Sequence, residues 1–477
     1  MPHHARPIRK PRLLTRRDAL RLGGTAVAGA AVLGCGGGDG RRAVTVFSPM
    51  GEVKNRALAR QLDRFMAVRD DLRVEVMPVP WDQGHAKLLT MVAGGNPPDV
   101  ITATGQWMAE FRAMGAIEDL TPWYASWPHR DAFTRTALLR CESSTAIEDG
   151  RVYGLPLELT TRAMFYRKRW LEEQGLEPAE TRAGWRALLE RITDRSRDRY
   201  GYALRGARGG FWTWWPILEE FSGTNEWFDA DHSCIINSPA HVEGLAFWND
   251  LYRDGLAPAD SVNWGYNELV QGFWSGICGC IEQDPEVVHT CLEHGMDQST
   301  LVTAPMPAGP RAHVASNDIW ILSISSGAKN PDGALAFYEW MMSPEQLIAY
   351  SKEASVLPTV KQGMDDPWFG QGFLRPFMDM ATDAKLLQNW YPSYLPEMGE
   401  FIEVLVTEEQ QKMLLGRQSP RETLDRLADF LSRAQQSYVD RHGPDTPRPP
   451  SPPEQPGPYA PPSPSEPLRP SEQSGTK

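Results

Sequence analysis

The sequence predicts an α/β protein of two lobes, and three observations carry that prediction. The chain has 477 residues, more than a single hydrophobic core ordinarily serves, so it is expected to divide. Its hydrophobic content of 41% is that of a globular protein. Between residues 43 and 114, short β-rich segments alternate with helix-length amphipathic ones. That β-α-β-α-β order argues for a parallel or mixed sheet covered by helices.

The elements follow in order. AVTVFS (43–48) alternates and reads as a strand. Residues 52–68 form an amphipathic helix, with Val53, Leu58, Leu62, Phe65 and Met66 on one side. LRVEVMPV (72–79) is the second strand, and Asp82 is placed to cap a helix running to residue 93. AGGNPPDVI supplies breakers and then a short apolar strand, followed by a helix over 106–114. Asp149-Gly150 marks a turn. Helices are expected over 185–196 and over 238–253, the second with Pro239 at its first position. GICGCIEQ and IWILSIS read as strands, and 331–342 as a helix. Residues 400–415 and 419–437 form a helical end, where Ser419-Pro420-Arg421-Glu422 has the pattern of a capping box.

The two termini differ from this body. Arg6, Arg9, Lys10 and Arg12 precede Arg16-Arg17, a short Gly/Ala-rich apolar run and Cys35. A basic region, an apolar region and a small residue before a cysteine make an export signal ending at a lipidation site. The arginine pair resembles a twin-arginine signal, with the general secretory route as the alternative. Residues 1–35 are therefore expected to be a signal peptide with a lipobox, and 36–42 a Gly-rich tether. After residue 442, Pro, Ser and Glu dominate, so 442–477 is expected to be a disordered tail.

Composition excludes some functions. A net charge of −12, with no basic stripe beyond the leader, disfavours nucleic acid as a partner. Five cysteines follow Cys35, so at least one thiol is unpaired. Cys278 and Cys280 lie two apart on a strand and share a face. No Cys-x-x-Cys pair supports zinc at Cys291, His289 and His294, so buried small thiols are expected, with no metal and no cofactor.

Several phrases resemble the extracellular solute-binding protein family 1, the receptors of sugar ABC importers. They are AGGNPPDVI (93–101), YGLPLELTTRAMFYRK (153–168), INSPAHVEGLAFWNDLYRDGLAP (236–258), FWSGICGCIEQDP (273–285), APMPAGP (304–310), AKNPDGALAFYEWMMSPEQ (328–346), LPT (357–359) and LLGRQSPRETLDRL (414–427). They occur in the family's order and span roughly residues 43–437. The resemblance implies a periplasmic-binding-protein-like fold of type II, with a hinged cleft between lobes. The expected lobes are 43–155 with 313–366, and 156–312 with 367–441. Crossings are expected near 155–157, near 310–313 and near Pro367. It also implies a monomeric, lipid-anchored receptor at the cell envelope, whose partners are a carbohydrate ligand and the permease subunits of an importer. Within binding, the alternative is glycerol phosphate or another phosphorylated polyol. From another class, the alternative is an exported carbohydrate-active enzyme, although the chain has no G-x-S-x-G, H-E-x-x-H or P-loop.

Sugars present apolar C–H faces and a rim of hydroxyls, so their receptors combine aromatic planes with carboxylates, amides and arginine. Candidates at strand ends are Trp81 and Asp82 after the second strand, and Gln106 and Trp107 after the third. Thr160 lies in the hinge phrase, with Glu158 and Arg162 as further polar groups there. Trp264, Tyr266 and Asn267 form a loop cluster. Asp284 and Glu286 stand where sugar receptors of the family carry Gly-Pro-Trp, which puts a carboxylate in place of a stacking ring. Asn317, Asp318 and Trp320 open a strand. Trp390-Tyr391 lies in a Pro-flanked loop, and Arg205 and Arg208 read as solvated surface. In FWTWWP (211–216), resemblance to receptors with a Tyr-x-x-Trp-Pro phrase makes Trp212 the stacking ring. It gives Trp215 to packing and leaves Trp214 open between the two roles. Thr213 is expected to cap a helix whose first turn holds Pro216.

Overall fold

The computed structural model describes residues 42–443. The expected signal peptide, Cys35, the tether up to residue 41 and the tail from residue 444 lie outside the described residues. In chain order the principal strands are β1 (Arg42–Ser48), β2 (Leu72–Pro78), β3 (Val100–Thr104), β4 (Leu155–Thr161), β5 (Ala163–Arg167), β6 (Tyr200–Tyr202), β7 (Cys278–Gln283), β8 (Leu301–Ala304), β9 (Val314–Ala315), β10 (Asn317–Ile324) and β11 (Leu387–Gln388).

They form two sheets and a short ribbon. The first sheet has the order β2-β1-β3-β10-β4 and the second β8-β5-β7-β6. β1 runs parallel to β2 and β3, whereas β10 is antiparallel to both β3 and β4. In the second sheet, β5 is antiparallel to β7 and β8, while β6 joins β7 in parallel. β9 and β11 pair in parallel outside both sheets. The inner strands β3, β4, β10, β5 and β7 are buried on both faces almost throughout, as expected of strands covered on two sides. Successive residues of β5 show the alternation: Met164 and Tyr166 enter one apolar cluster, and Ala163 and Phe165 enter another.

β4 pairs with β10 from Asn317–Thr161 to Leu322–Leu155. It therefore lies in the first sheet throughout, and the chain leaves that sheet after Thr161, not near residue 155.

Among the helices, α1 (Glu52–Val68), α2 (Trp81–Ala93) and α3 (Gly105–Ala113) follow the three parallel strands, and α4 (Arg135–Ser143) packs on β4 and β10. α5 (Phe211–Ser222) and α6 (Tyr266–Trp274) flank the second sheet. α7 (Pro420–His442) begins with the expected capping box: Ser419 N donates to Glu422 Oε2 at 2.7 Å, and Glu422 N donates to Ser419 Oγ at 3.2 Å.

α5 starts one turn earlier than its sequence suggests. Gly210 is the N-cap, Thr213 Oγ1 donates to Gly210 O instead of capping, and Pro216 lies inside the helix. Proline there removes the backbone bond to the carbonyl of Trp212. Tight packing compensates, because residues 211–221 of this helix are all buried.

Candidate binding cleft

The C-terminal ends of β1, β2 and β3 point to one place, as expected of parallel strands in an α/β sheet. β1 is followed by Pro49, Met50 and Gly51, β2 by Trp81, and β3 ends in Thr104. β4 and the entry to β10 add Thr160, Ser316, Asp318 and Trp320. Facing them are Gln283, Asp284 and Glu286 at the end of β7, Arg205, Trp212 on α5 and Tyr266 on α6. Together with Lys54 and Arg162, these side chains line a cleft of about 670 Å³ between the elements of the two sheets. Gly51 caps α1 at φ 86°, a backbone only glycine adopts without strain, and so brings bare main chain to the cleft.

Aromatic planes stand on both sides. Trp81 stacks on the buried Trp107, with centroids 5.5 Å apart and planes 12° apart, and meets Trp320 edge-on at 5.5 Å. Opposite, Trp212 leans edge-on against Tyr391 at 5.3 Å. Tyr391 in turn donates its hydroxyl to Asp318 Oδ1 at 2.9 Å.

Charges crowd the floor. Lys54 is buried and donates to Glu158 Oε1 at 2.5 Å, with Glu286 Oε1 at 3.8 Å. Tyr350 completes Glu158 through a 2.6 Å bond to Oε2. Burial pulls the Lys54 ammonium down, but Glu158, Glu286 and Asp284 outweigh it and hold its pKa above the ordinary value. Burial pushes Glu286 up to about 7 against the pull of Lys54. It pushes Asp318 up to about 6, despite a hydrogen bond from its own strand and one from Tyr391. Burial lowers Arg205 to about 10. Arg162 Nε stands 3.8 Å from Asp284, and Arg205 Nη2 stands 3.8 Å from Asp82, both beyond hydrogen-bond reach.

Several buried polar atoms here make no hydrogen bond among the described residues: Thr160 Oγ1, Arg162 Nη1, Arg205 Nη2, Gln283 Nε2, Asp284 Oδ1 and Glu286 Oε2. Buried polar groups are nearly always satisfied, so a convergence of exceptions marks a surface built to meet something polar.

Of the candidates named from sequence, Trp81, Thr160, Arg162, Trp212, Tyr266, Asp284, Glu286, Asp318 and Trp320 line this cleft. The others lie elsewhere. Asp82 stands beside it, facing Arg205. Gln106 and Trp107 are fully buried and point to Glu403, with Trp107 Nε1 3.1 Å from its Oε1. Trp214 is buried with Nε1 2.9 Å from Gln410 Oε1. Trp264 bonds Asp260 and packs against Gly272. Asn267 is exposed. Asn317 is consumed by Thr161, Gln388 and Asn389.

Arg205 and Arg208 are not solvated surface. Arg205 is 3% exposed and lies over Gly209, where a Cβ would collide with its guanidinium. Arg208 reaches across to the carbonyl of Asp82 and to Glu403. Lys54, Thr104, Gln283 and Ser316 were not singled out from the sequence. Lys54 carried a usable signal, because it falls with Ala57, Leu58, Gln61 and Phe65 on the buried stripe of α1. A lysine there requires a carboxylate partner.

Residues 52–348 match the family model of bacterial extracellular solute-binding proteins. The chain belongs to that family. As a solute-binding protein it is similar to the galactooligosaccharide-binding protein of Bacillus subtilis, with 22% identity over 373 residues, 75% of this chain and 82% of that protein. It is also similar to the sn-glycerol-3-phosphate-binding periplasmic protein UgpB of Pectobacterium atrosepticum, with 22% identity over 411 residues, 79% and 88% of the two chains. Among solved structures, the GacH receptor of Streptomyces glaucescens, determined unliganded and with acarbose, superposes with a TM-score of 0.72. That match has 22% identity and covers 83% of this chain and 98% of the receptor. The solute-binding protein thus has the two-lobed α/β fold expected of it, with the cleft described above between its sheets.

Proposed function

We propose that this solute-binding protein captures a carbohydrate, an oligosaccharide in the first instance, in the cleft and delivers it to the permease of an ABC importer. The observation that carries this reading is the combination of Trp81, Trp212 and Trp320 with unsatisfied buried polar atoms from both sheets. Flat rings suit the apolar faces of a sugar. Carboxylates, an amide, a hydroxyl and guanidinium groups suit its hydroxyls. Ligand contacts are assigned to Trp81, Thr160, Trp212, Asp284, Glu286, Asp318 and Trp320, with Arg162, Arg205 and Tyr266 beside them.

In this reading the cleft performs no chemistry. A ligand that touches both halves favours the closed arrangement, and closure about the crossings after Thr161, near residue 313 and near Pro367 presents the loaded face to the permease. Export and a lipid at Cys35 hold the protein at the envelope.

A phosphorylated polyol is the second reading, motivated by the two buried arginines. Each already has a carboxylate 3.8 Å away. That charge balance favours a neutral ligand over an anion, which would face Asp284, Glu286 and Asp318 as well.

A thermal-shift screen over neutral oligosaccharides, acidic sugars and glycerol phosphate tests the assignment. A ligand at a hundred times its Kd should stabilise the protein by about 2.7 kcal/mol. Stabilisation by non-sugar solutes alone would remove the carbohydrate assignment. Release of smaller sugars from an oligosaccharide would remove the receptor reading.

A further inference from the structure

A second cavity opens away from the cleft, between α4, the β4 strand and the segment around β11. It holds about 1080 Å³. Leu139, Leu159, Met364 and Leu386 give it apolar walls, Thr134 and Thr136 add hydroxyls, and exposed Thr382, Asp383 and Ala384 form its rim.

Arg140 lines this cavity and is 5% exposed. It lies with Ala137 and Cys141 on the buried stripe of α4, where an apolar residue is the default. Among the described residues the one hydrogen bond of its side chain is from Nη2 to Asn389 Oδ1 at 2.9 Å, and it joins no ion pair. Tyr391, Asp318 and Glu219 act on it only from longer range. Below it lies Trp390, with the ring centroid 5.8 Å from the guanidinium carbon. Asn389 Nδ2 is buried and makes no hydrogen bond among the described residues. A buried cation that no carboxylate contacts is only partly compensated from a distance, so an anion in direct contact with it would be stabilising.

We propose that this cavity is a second binding site, for a small organic acid whose carboxylate pairs with Arg140 while its apolar body rests on Leu139, Leu159 and Leu386. Arginine supplies a planar fork of donors that matches a carboxylate. The walls exclude water from the ion pair and take up the hydrophobic remainder. The site is separate from the sugar cleft: apart from their shared scaffold, the two cavities have no lining residue in common.

The test is calorimetric titration of the full chain with benzoate at millimolar concentration, with benzyl alcohol as the neutral twin. Saturable benzoate binding is expected, weakened about tenfold or more by Arg140→Gln and unchanged by Arg205→Gln. Arg140→Gln should stay near the parent's melting temperature, because among the described residues it breaks no ion pair and glutamine can still donate to Asn389. Leu139→Trp, which crowds the apolar wall next to Arg140 and leaves the arginine in place, should weaken binding as well. Three results would overturn the proposal: no saturable benzoate binding, equal binding of benzyl alcohol, or loss with Arg205→Gln but not Arg140→Gln, which would put the acid in the sugar cleft.

Discussion

Trp81 lies flat on Trp107, 5.5 Å between centroids and 12° between planes, so a ring that lines the cleft rests on one that never reaches it. The pair separates two roles that look alike in sequence. Trp81→Ala should weaken sugar binding with little effect on denaturant midpoint. Trp107→Leu should lower stability by roughly 2–4 kcal/mol, since it opens a cavity in place of a fully buried indole and removes one of the donors to Glu403. It should also weaken binding, because the upper ring loses its support. Urea unfolding and calorimetric titration of both variants check this; an unaltered Kd in Trp107→Leu would break the link.

The FWTWWP stretch makes a second contrast. Trp212 lines the cleft, whereas Trp214 bonds Gln410 and Trp215 bonds Glu219 and the carbonyl of Trp390. Trp212→Ala should reduce affinity far more than stability. Trp214→Ala should cost about 3–5 kcal/mol of stability and leave the affinity of the folded fraction near that of the parent. Reversal of the two effects, measured by the same pair of assays, would return Trp212 to the core.

Lys54→Met leaves Glu158 and Glu286 buried beside an apolar chain. Removing one member of a buried pair costs about 3–5 kcal/mol. The double variant Lys54→Met with Glu158→Gln should recover part of that loss, because the stranded charge goes too. Denaturation of both, compared as a double-mutant cycle, gives the coupling; simple additivity would contradict the pairing.

Glu286 and Asp318 make stability depend on pH. Burial raises them to about 7 and about 6, from 4.5 and 3.8. A carboxyl whose folded pKa is raised binds its proton more tightly when folded. Its contribution is complete below the unfolded value and is lost as pH climbs through the folded one. The unliganded protein should therefore lose stability between about pH 5 and about pH 7.5, and Glu286→Gln should flatten that slope. Melting curves across this range decide it; a melting temperature that rises with pH would refute the assignment.

Much of the architecture was legible because hydrophobic period and chain punctuation are local. The β-α-β-α-β run, the Asp149-Gly150 turn and the Ser419 capping box each follow from neighbouring residues. Half of the cleft was legible for a related reason: Trp81, Thr160, Asp284, Glu286 and Asp318 lie at strand ends, where such folds place their ligands. What escaped depends on distant partners. Nothing near Arg205 reveals Asp82, and nothing near Gln106 or Trp107 reveals Glu403. Pro216 argued for a helix start, yet the helix runs through it because packing of its indoles outweighs one lost backbone bond.

Glu403 sits in a π-helical turn, Phe401–Leu405, between two stretches of ordinary α-helix. Such a turn holds one residue more than the α-helical pitch requires. Deleting Val404, which is 45% exposed and faces away from these contacts, would let the turn relax to regular winding. The helix before it would then rotate by about 100° relative to the helix after it. Glu403 could not face Trp107 and Arg208 while Gln410 still faced Trp214. The surplus residue thus acts as a phase adjuster, keeping two sets of contacts on one continuous helix in step. Insertions and deletions in this segment should be tolerated far less than its substitutions.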